Sequence, residues 1–163
     1  MRNRYVSFSV GSGRCCIPVD QVVQIVRPEN ILEVPKAPAY VDGAINVRGD
    51  VIPVVNLRAR LGIRQEARVE RAAATANADR KSAARARIVV TRIGNRSCGL
   101  AVDEVSEIVD IDDEGIQNGA SEALGRHPEL LRGVFHRDST LFFVLDLLRV
   151  VGAGRDLPGA GRS

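Results

Sequence analysis

Val19-Asp20-Gln21-Val22-Val23-Gln24-Ile25-Val26 returns in the second half of the chain as Val102-Asp103-Glu104-Val105-Ser106-Glu107-Ile108-Val109. The alignment sets Cys15 against Cys98 and Ile17 against Leu100. Farther on, Gly43 through Gly62 falls on Gly133 through Gly152, so that Val51-Ile52-Pro53-Val54-Val55-Asn56-Leu57 matches Leu141-Phe142-Phe143-Val144-Leu145-Asp146-Leu147. The order of the segments is kept, with a small insertion between them. An internal repeat fixes the architecture before any single residue is read, and two copies are too few for a solenoid. They predict one pseudo-symmetric molecule made of two similar halves. The 163 residues suit one ordinary domain, whereas a half of roughly 60 residues has only a marginal core by itself. The halves are therefore expected to share a hydrophobic interface.

Short β-like runs recur between glycines and prolines: Tyr5 to Val10, Cys16 to Val19, Val22 to Val26, Ala44 to Val47 and Val51 to Val55. The second half repeats them at Ile88 to Ile93, Cys98 to Val102, Val105 to Val109, Val134 to His136 and Leu141 to Leu145. Ten such runs, in a chain with 4% aromatics and no Trp, predict an all-β protein of small barrels or a sandwich. Arg48-Gly49-Asp50 and Arg137-Asp138-Ser139-Thr140 hold matched hairpin-turn positions. Pro53 inside a run implies an edge or a bulge there. Leu57 to Leu61 followed by Gly62 reads as a helical turn with a glycine stop, and Glu122 to Leu131 as a second, interrupted by Pro128. Arg64 to Arg87 is an Ala/Arg-rich stretch with Val69 as its one large aliphatic residue, which predicts a solvated connector. The glycine-rich tail from Gly152 is expected to be disordered.

A net charge of +3 and a pI near 9.0 raise nucleic acid as a partner. Between Arg64 and Arg87, however, seven basic residues face three acidic ones, so the rest of the chain is slightly acidic, and the basic stretch has no aromatics on which bases could stack. No run approaches the ~18 apolar residues of a membrane span. The N-terminus has no apolar leader region and reads as a mature cytoplasmic start. Three cysteines, two of them adjacent, are expected to be free thiols in a reducing compartment.

The residues of an active site are hard to assemble. His127 and His136 have no Cys or second His at zinc-ligand spacing, and Cys15-Cys16 is not the C-x-x-C redox arrangement. Cys15 and Cys98 suit small core residues at equivalent repeat positions. Asp110, Asp112, Asp113 and Glu114 lack calcium-loop spacing and are expected to form a solvated loop. No cofactor or metal is implied, and a Cys15 or Cys16 nucleophile has no histidine placed to activate it.

The remaining candidate is Gly43-Ala44-Ile45-Asn46-Val47-Arg48-Gly49, followed by Asp50-Val51-Ile52-Pro53-Val54-Val55-Asn56-Leu57. Read alone, it is a hairpin whose Arg48 is solvated and whose Asn46 ties down its own turn. The stretch resembles the central signature of the CheW-type coupling proteins of bacterial chemosensory systems. The resemblance extends from Tyr5 to about Val151, through Cys16-Ile17-Pro18-Val19-Asp20-Gln21-Val22-Val23-Gln24-Ile25, Gly99-Leu100-Ala101-Val102-Asp103-Glu104-Val105 and Leu145-Asp146-Leu147-Leu148.

That resemblance implies two five-stranded, SH3-like β-barrels about a pseudo-twofold axis, with short helical turns. It implies one CheW-like domain over residues 4–152, while the repeat halves near 4–62 and 88–152, the connector at 64–87 and the tail at 153–163 are read from the residues themselves. The function implied is that of a non-enzymatic adaptor joining the cytoplasmic tips of methyl-accepting chemoreceptors to a CheA-type histidine kinase. In such proteins one barrel meets the kinase and the groove between barrels takes the receptor's helical hairpin. Val22, Gln24, Gly43, Asn46, Arg48 and Gly49 fall where the family makes partner contacts. Arg48 would offer a planar fork of donors to a carboxylate or helix carbonyl, and Gly43 would allow close backbone approach. Gln24 stands where many members carry Glu. Other readings are an adaptor of a non-flagellar chemosensory pathway and a small-barrel nucleic-acid protein using the basic connector.

Overall fold

The computed structural model describes residues 2–63, 84–118 and 124–152. Ten strands are present: β1 (Arg2–Val10), β2 (Gly13–Pro18), β3 (Val22–Val26), β4 (Val41–Val47), β5 (Asp50–Asn56), β6 (Arg87–Ile93), β7 (Arg96–Val102), β8 (Glu104–Asp112), β9 (Leu131–Arg137) and β10 (Thr140–Leu145). They form two five-stranded sheets, ordered β8-β1-β2-β10-β9 and β3-β6-β7-β5-β4. Replacing each strand by its repeat partner turns one order into the other, so the pseudo-twofold seen in the sequence relates the two sheets. Each sheet draws strands from both halves. β1 and β2 sit with β8 to β10, while β3 to β5 sit with β6 and β7.

The correspondence reaches single residues. β1 runs against β8 with Tyr5 opposite Val109 and a bulge before Phe8 meets Val105. β6 runs against β3 with Ile88 opposite Val26 and a bulge before Thr91 meets Val22. Each sheet is then closed by the segment that follows its first strand. Leu32 bridges Ala44 of β4, and Gln117 bridges Val134 of β9. Each bridge has two backbone hydrogen bonds of 2.7 to 2.8 Å. The bridge joins the ends of each sheet at one point and curls it into a barrel.

Alternation along the strands sorts side chains into three cores. Tyr5, Cys16, Val109, Ile111, Phe142 and Val144 fill the first barrel, and Ile45, Ile52, Val54, Ile88 and Val90 fill the second. The largest cluster lies between them and takes Phe8, Cys15 and Ile17 from one sheet and Val89, Cys98 and Leu100 from the other. This is the shared interface that two marginal halves require. Two short helices, α1 (Leu57–Leu61) and α2 (Leu147–Val151), add Leu57, Leu61, Leu147 and Val150 to it. Both start on a side-chain cap, Asn56 Oδ1 accepting from the Ala59 N–H at 3.2 Å and Asp146 Oδ1 from the Arg149 N–H at 3.3 Å. Gly62 stops α1 in the left-handed conformation at φ 71°. Gly152 occupies the same place after α2, so it closes a helix before any tail begins.

Side chains lock the barrels together at one crossover. Asp103, between β7 and β8, accepts from the Gly11 N–H of the first barrel at 2.7 Å and from Arg58 Nη2 of α1 at 2.6 Å. Arg60 of α1 donates to the carbonyls of Val150 and Arg149 at 2.9 and 3.1 Å, in the last turn of α2. Its guanidinium also lies 4.5 Å from the Tyr40 ring centroid.

Some expectations need correction. Asp110 and Asp112 do not lie in a solvated loop: β8 runs through both, opposite Arg4 and Arg2 of a longer β1. Asp113 accepts from Asn3 Nδ2 at 2.6 Å and Tyr5 OH at 3.0 Å. The basic N-terminal strand supplies the counter-charges that let acidic residues stay in a strand. Leu131 starts β9 rather than ending a helix, and Pro128–Leu130 forms one 3-10 turn. Glu122 falls outside the described residues, as do 64–83 of the basic stretch and the 153–163 tail. Arg87 is already part of β6. Pro53 lies in an interior strand, but the parallel pairing of β5 with β7 starts only at Val54. At Pro53 the strand therefore has a partner on one side alone, where a missing N–H is tolerated.

Candidate functional site

β4 and β5 meet in a two-residue hairpin turn with positive φ at both central positions, 52° at Arg48 and 91° at Gly49. Such a turn matches the right-handed twist of its strands. Asn46 Oδ1 accepts from the Gly49 N–H at 2.9 Å, so the side chain does tie down its own turn. Asn46, Arg48 and Gly49 are all exposed. Among the described residues, no ion pair or hydrogen bond engages the Arg48 guanidinium.

Beside the turn runs an open groove of about 300 Å³, lined by Gln24, Val26, Arg27, Glu29, Asn30, Ile45, Asn46, Val47 and Arg48. One wall is the outermost strand β3 with the chain just after it, and the other is β4 with its turn. The structure thus brings Gln24, Asn46 and Arg48 together on one surface of the second barrel. Val26, Ile45 and Val47 contribute apolar surface to a lining that is otherwise polar, and the two arginines outnumber the single glutamate.

Val22 and Gly43 are placed elsewhere. Val22 is half-buried and packs on the shared core. Gly43 is buried in β4 at φ 153°, where a Cβ would overlap the Leu32 carbonyl oxygen and lie 2.8 Å from Ile31 Cγ2. The close approach Gly43 makes here is to its own chain, at the bridge that closes the barrel. Gly133, its repeat partner, does the same against Gln117 and Ile116.

Sequence reading missed the apolar edge next to the groove. β3 alternates so that Val23 and Ile25 face outward, 55% and 41% exposed. The signal was present in the form of a strand with large aliphatic residues on both faces, which means either burial on both sides or an apolar surface. Arg27, Glu29 and Asn30 were also missed, since they belong to no strand or motif.

The cysteines are all free and buried. Burial pushes the thiols of Cys16 and Cys98 up to about 12 and raises that of Cys15 as well, which keeps them protonated and poor nucleophiles near neutral pH. His127 Nδ1 lies 3.2 Å from Glu129 Oε2. Among the described residues no three His, Cys, Asp or Glu side chains gather as a metal site would need, and no helix is long and apolar enough to cross a membrane.

Comparison with known proteins places these features in context. The model of the CheW-like domain family matches residues 4–154. A probable chemotaxis protein CheW of Rhizobium etli is 30% identical over 142 residues, covering 87% of this chain and 83% of its own length. The chemotaxis protein CheW of Treponema pallidum is 27% identical over 142 residues, with 87% and 78% covered. Among solved structures, the scaffolding protein TtCheW of Thermoanaerobacter tengcongensis superposes with a TM-score of 0.74 at 21% identity, over 99% of this chain and 95% of that one. Its likeness extends to the fold.

Proposed function

Since this chain belongs to the CheW-like domain family, we propose that it is a chemotaxis coupling adaptor, joining the cytoplasmic tips of methyl-accepting chemoreceptors to a CheA-type histidine kinase. It works in the cytoplasm at the inner face of the membrane and transmits signals by assembly. The groove of the second barrel meets the partner, with Gln24 and Arg48 at the contact, Asn46 and Gly49 in the turn that carries Arg48, and Val22 and Gly43 supporting the strands beneath. The observation that carries this reading is Arg48, which stands exposed beside a groove of mixed polar and apolar lining, its guanidinium with no partner among the described residues. An arginine so placed presents its planar donors to a carboxylate or to the last carbonyls of a helix. Val23 and Ile25, on the other face of β3 from Gln24 and Val26, add exposed apolar area to the same edge strand.

Co-sedimentation with membranes carrying the cognate receptor, with and without the cognate kinase, tests the proposal. The wild-type chain should sediment with them. Arg48→Ala should weaken the association roughly thirtyfold, the ordinary loss on truncating a central interface arginine, with an unchanged thermal melt. A wild-type chain that stays in the supernatant under both conditions would refute the adaptor reading. A variant that sediments like the wild type would leave Arg48 a solvated turn residue.

A further inference from the structure

Arg48 occupies a backbone conformation that arginine does not favour. At φ 52° its Cβ crowds the following carbonyl, and only Gly, Asn and Asp enter this region routinely. The sister hairpin of the first barrel reaches the same region with Asp138 at φ 46° and Ser139 at φ 67°, so a residue that tolerates the left-handed region stands at the first central position there. In the second barrel the first central residue is the strained one. The added feature is the bond from the Gly49 N–H to Asn46 Oδ1. The repeat counterpart of Asn46 is His136, and among the described residues no side-chain hydrogen bond spans that turn.

Resting on the adaptor reading, we infer that Asn46 is the positioning residue of the docking groove: by holding the Gly49 N–H it keeps Arg48 left-handed and its guanidinium over the groove, ready for the partner. Asn46 acts through Arg48 and not through its own contact. The bond from the Gly49 N–H to Asn46 Oδ1 spans Val47 and Arg48 and fixes the peptide that follows Arg48. Such a bond also forms over right-handed residues, as between Asn56 and Ala59, so here it acts together with the two-residue hairpin, whose positive φ at Arg48 it reinforces. Without the tie the turn is held by its strands alone, and apparent affinity falls by the fraction of time the competent turn is present. One exposed hydrogen bond shifts such an equilibrium by about fivefold. The loss from removing Asn46 must therefore stay below about fivefold, well short of the loss expected for Arg48→Ala.

A double-mutant cycle with Asn46→Ala and Arg48→Ala tests this, read by co-sedimentation with receptor membranes and kinase. Asn46→Ala alone should weaken binding by up to about fivefold and should change nothing further in the Arg48→Ala background. A second readout needs no partner: in the NMR spectrum the strong intraresidue HN–Hα contact of a left-handed Arg48 should fade in Asn46→Ala and persist in Asn46→Asp, which keeps the acceptor. Equal losses in both backgrounds would make Asn46 a direct contact and overturn the inference. So would an Arg48 that stays left-handed without the tie, or binding that Asn46→Ala leaves untouched. Failure of the wild-type chain to sediment counts against the adaptor reading alone, because the NMR result still decides whether Asn46 sets the conformation of Arg48.

Discussion

Gly43→Ala separates a residue that builds the barrel from one that meets a partner. The new methyl would overlap the Leu32 carbonyl oxygen and press on Ile31 Cγ2 at 2.8 Å. Relief requires moving residues 31–32 away from β4, which breaks the Leu32–Ala44 pair of backbone bonds, 2.7 and 2.8 Å long. Two such bonds contribute about 1 kcal/mol each. Keeping an alanine at φ 153° adds strain of about 1–3 kcal/mol, offset in part by the roughly 0.5–1 kcal/mol that the loss of a glycine removes from the unfolded chain's entropy. The net is a destabilisation of about 3 kcal/mol, or roughly 6–12 °C in Tm for a chain of this size. Urea denaturation followed by circular dichroism measures it. Gly133→Ala, against Gln117 O at 2.6 Å but without the positive φ, should lose less, about 1–2 kcal/mol, while Gly49→Ala, with nothing within 4 Å of its Cβ position, should lose only about 1 kcal/mol through its backbone angle. A Gly43→Ala chain that unfolds at the wild-type midpoint would refute the closure argument, and if it also failed to sediment with receptor and kinase, Gly43 would belong to the contact.

Asp103→Ala removes the acceptor shared by Gly11 and Arg58 and should cost about 2 kcal/mol of stability in urea melts, whereas Asp20→Ala, at the exposed counterpart position, should cost almost nothing; equal effects would mean that the crossover bond holds nothing together. The thiols should be silent to a disulfide reagent at neutral pH and all three should react after unfolding; a fast-reacting thiol in the native protein would contradict their burial. Folded-state pKa values raised from 9.0 to about 12 at Cys16 and Cys98 keep those thiols protonated where the unfolded chain ionises. Their contribution is therefore complete below about pH 9 and lost between 9 and 12, at about 1.4 kcal/mol per pH unit for each thiol, and a melting temperature that holds steady across that window would count against it.

The repeat made much of this fold legible, because identical local patterns must form identical elements: ten strands, two hairpins at matched turns, and α1 with its glycine stop. It did not say which strands share a barrel. A strand's alternation reports which side chains are buried and is silent about its neighbours. The deciding contacts are the parallel pairings of β2 with β10 and β5 with β7, between strands far apart in the chain. α2 was implied by the equivalence of Leu57 and Leu147, yet the glycines after it read as tail. At the candidate site, turn chemistry put Arg48 and Asn46 in a hairpin turn, and the family resemblance alone marked them as contact residues. The role of Gly43 in closing the barrel was hidden, since Ile31 and Leu32 touch β4 through one bridge and carry no strand pattern of their own.

The two barrels share a fold, but the side chains at their equivalent hairpins differ. Position for position, Gln24 of the groove corresponds to Glu107, Asn46 to His136, Arg48 to Asp138 and Gly49 to Ser139. The second barrel thus presents a cation beside a neutral amide where the first presents two carboxylates. On the proposed reading, a carboxylate drawn to Arg48 finds no matching free cation at the sister hairpin, where Asp138 lies 4.0 Å from Arg137. The inter-barrel bonds are one-sided in the same way. Asp103 engages Arg58 and Gly11, while Asp20 is exposed and Leu148, 55% exposed, stands at the counterpart of Arg58. The two barrels thus differ at a few equivalent surface positions, which gives the pair a single orientation. A coupling adaptor that joins two different proteins needs such asymmetry, because identical faces would bind two copies of the same partner.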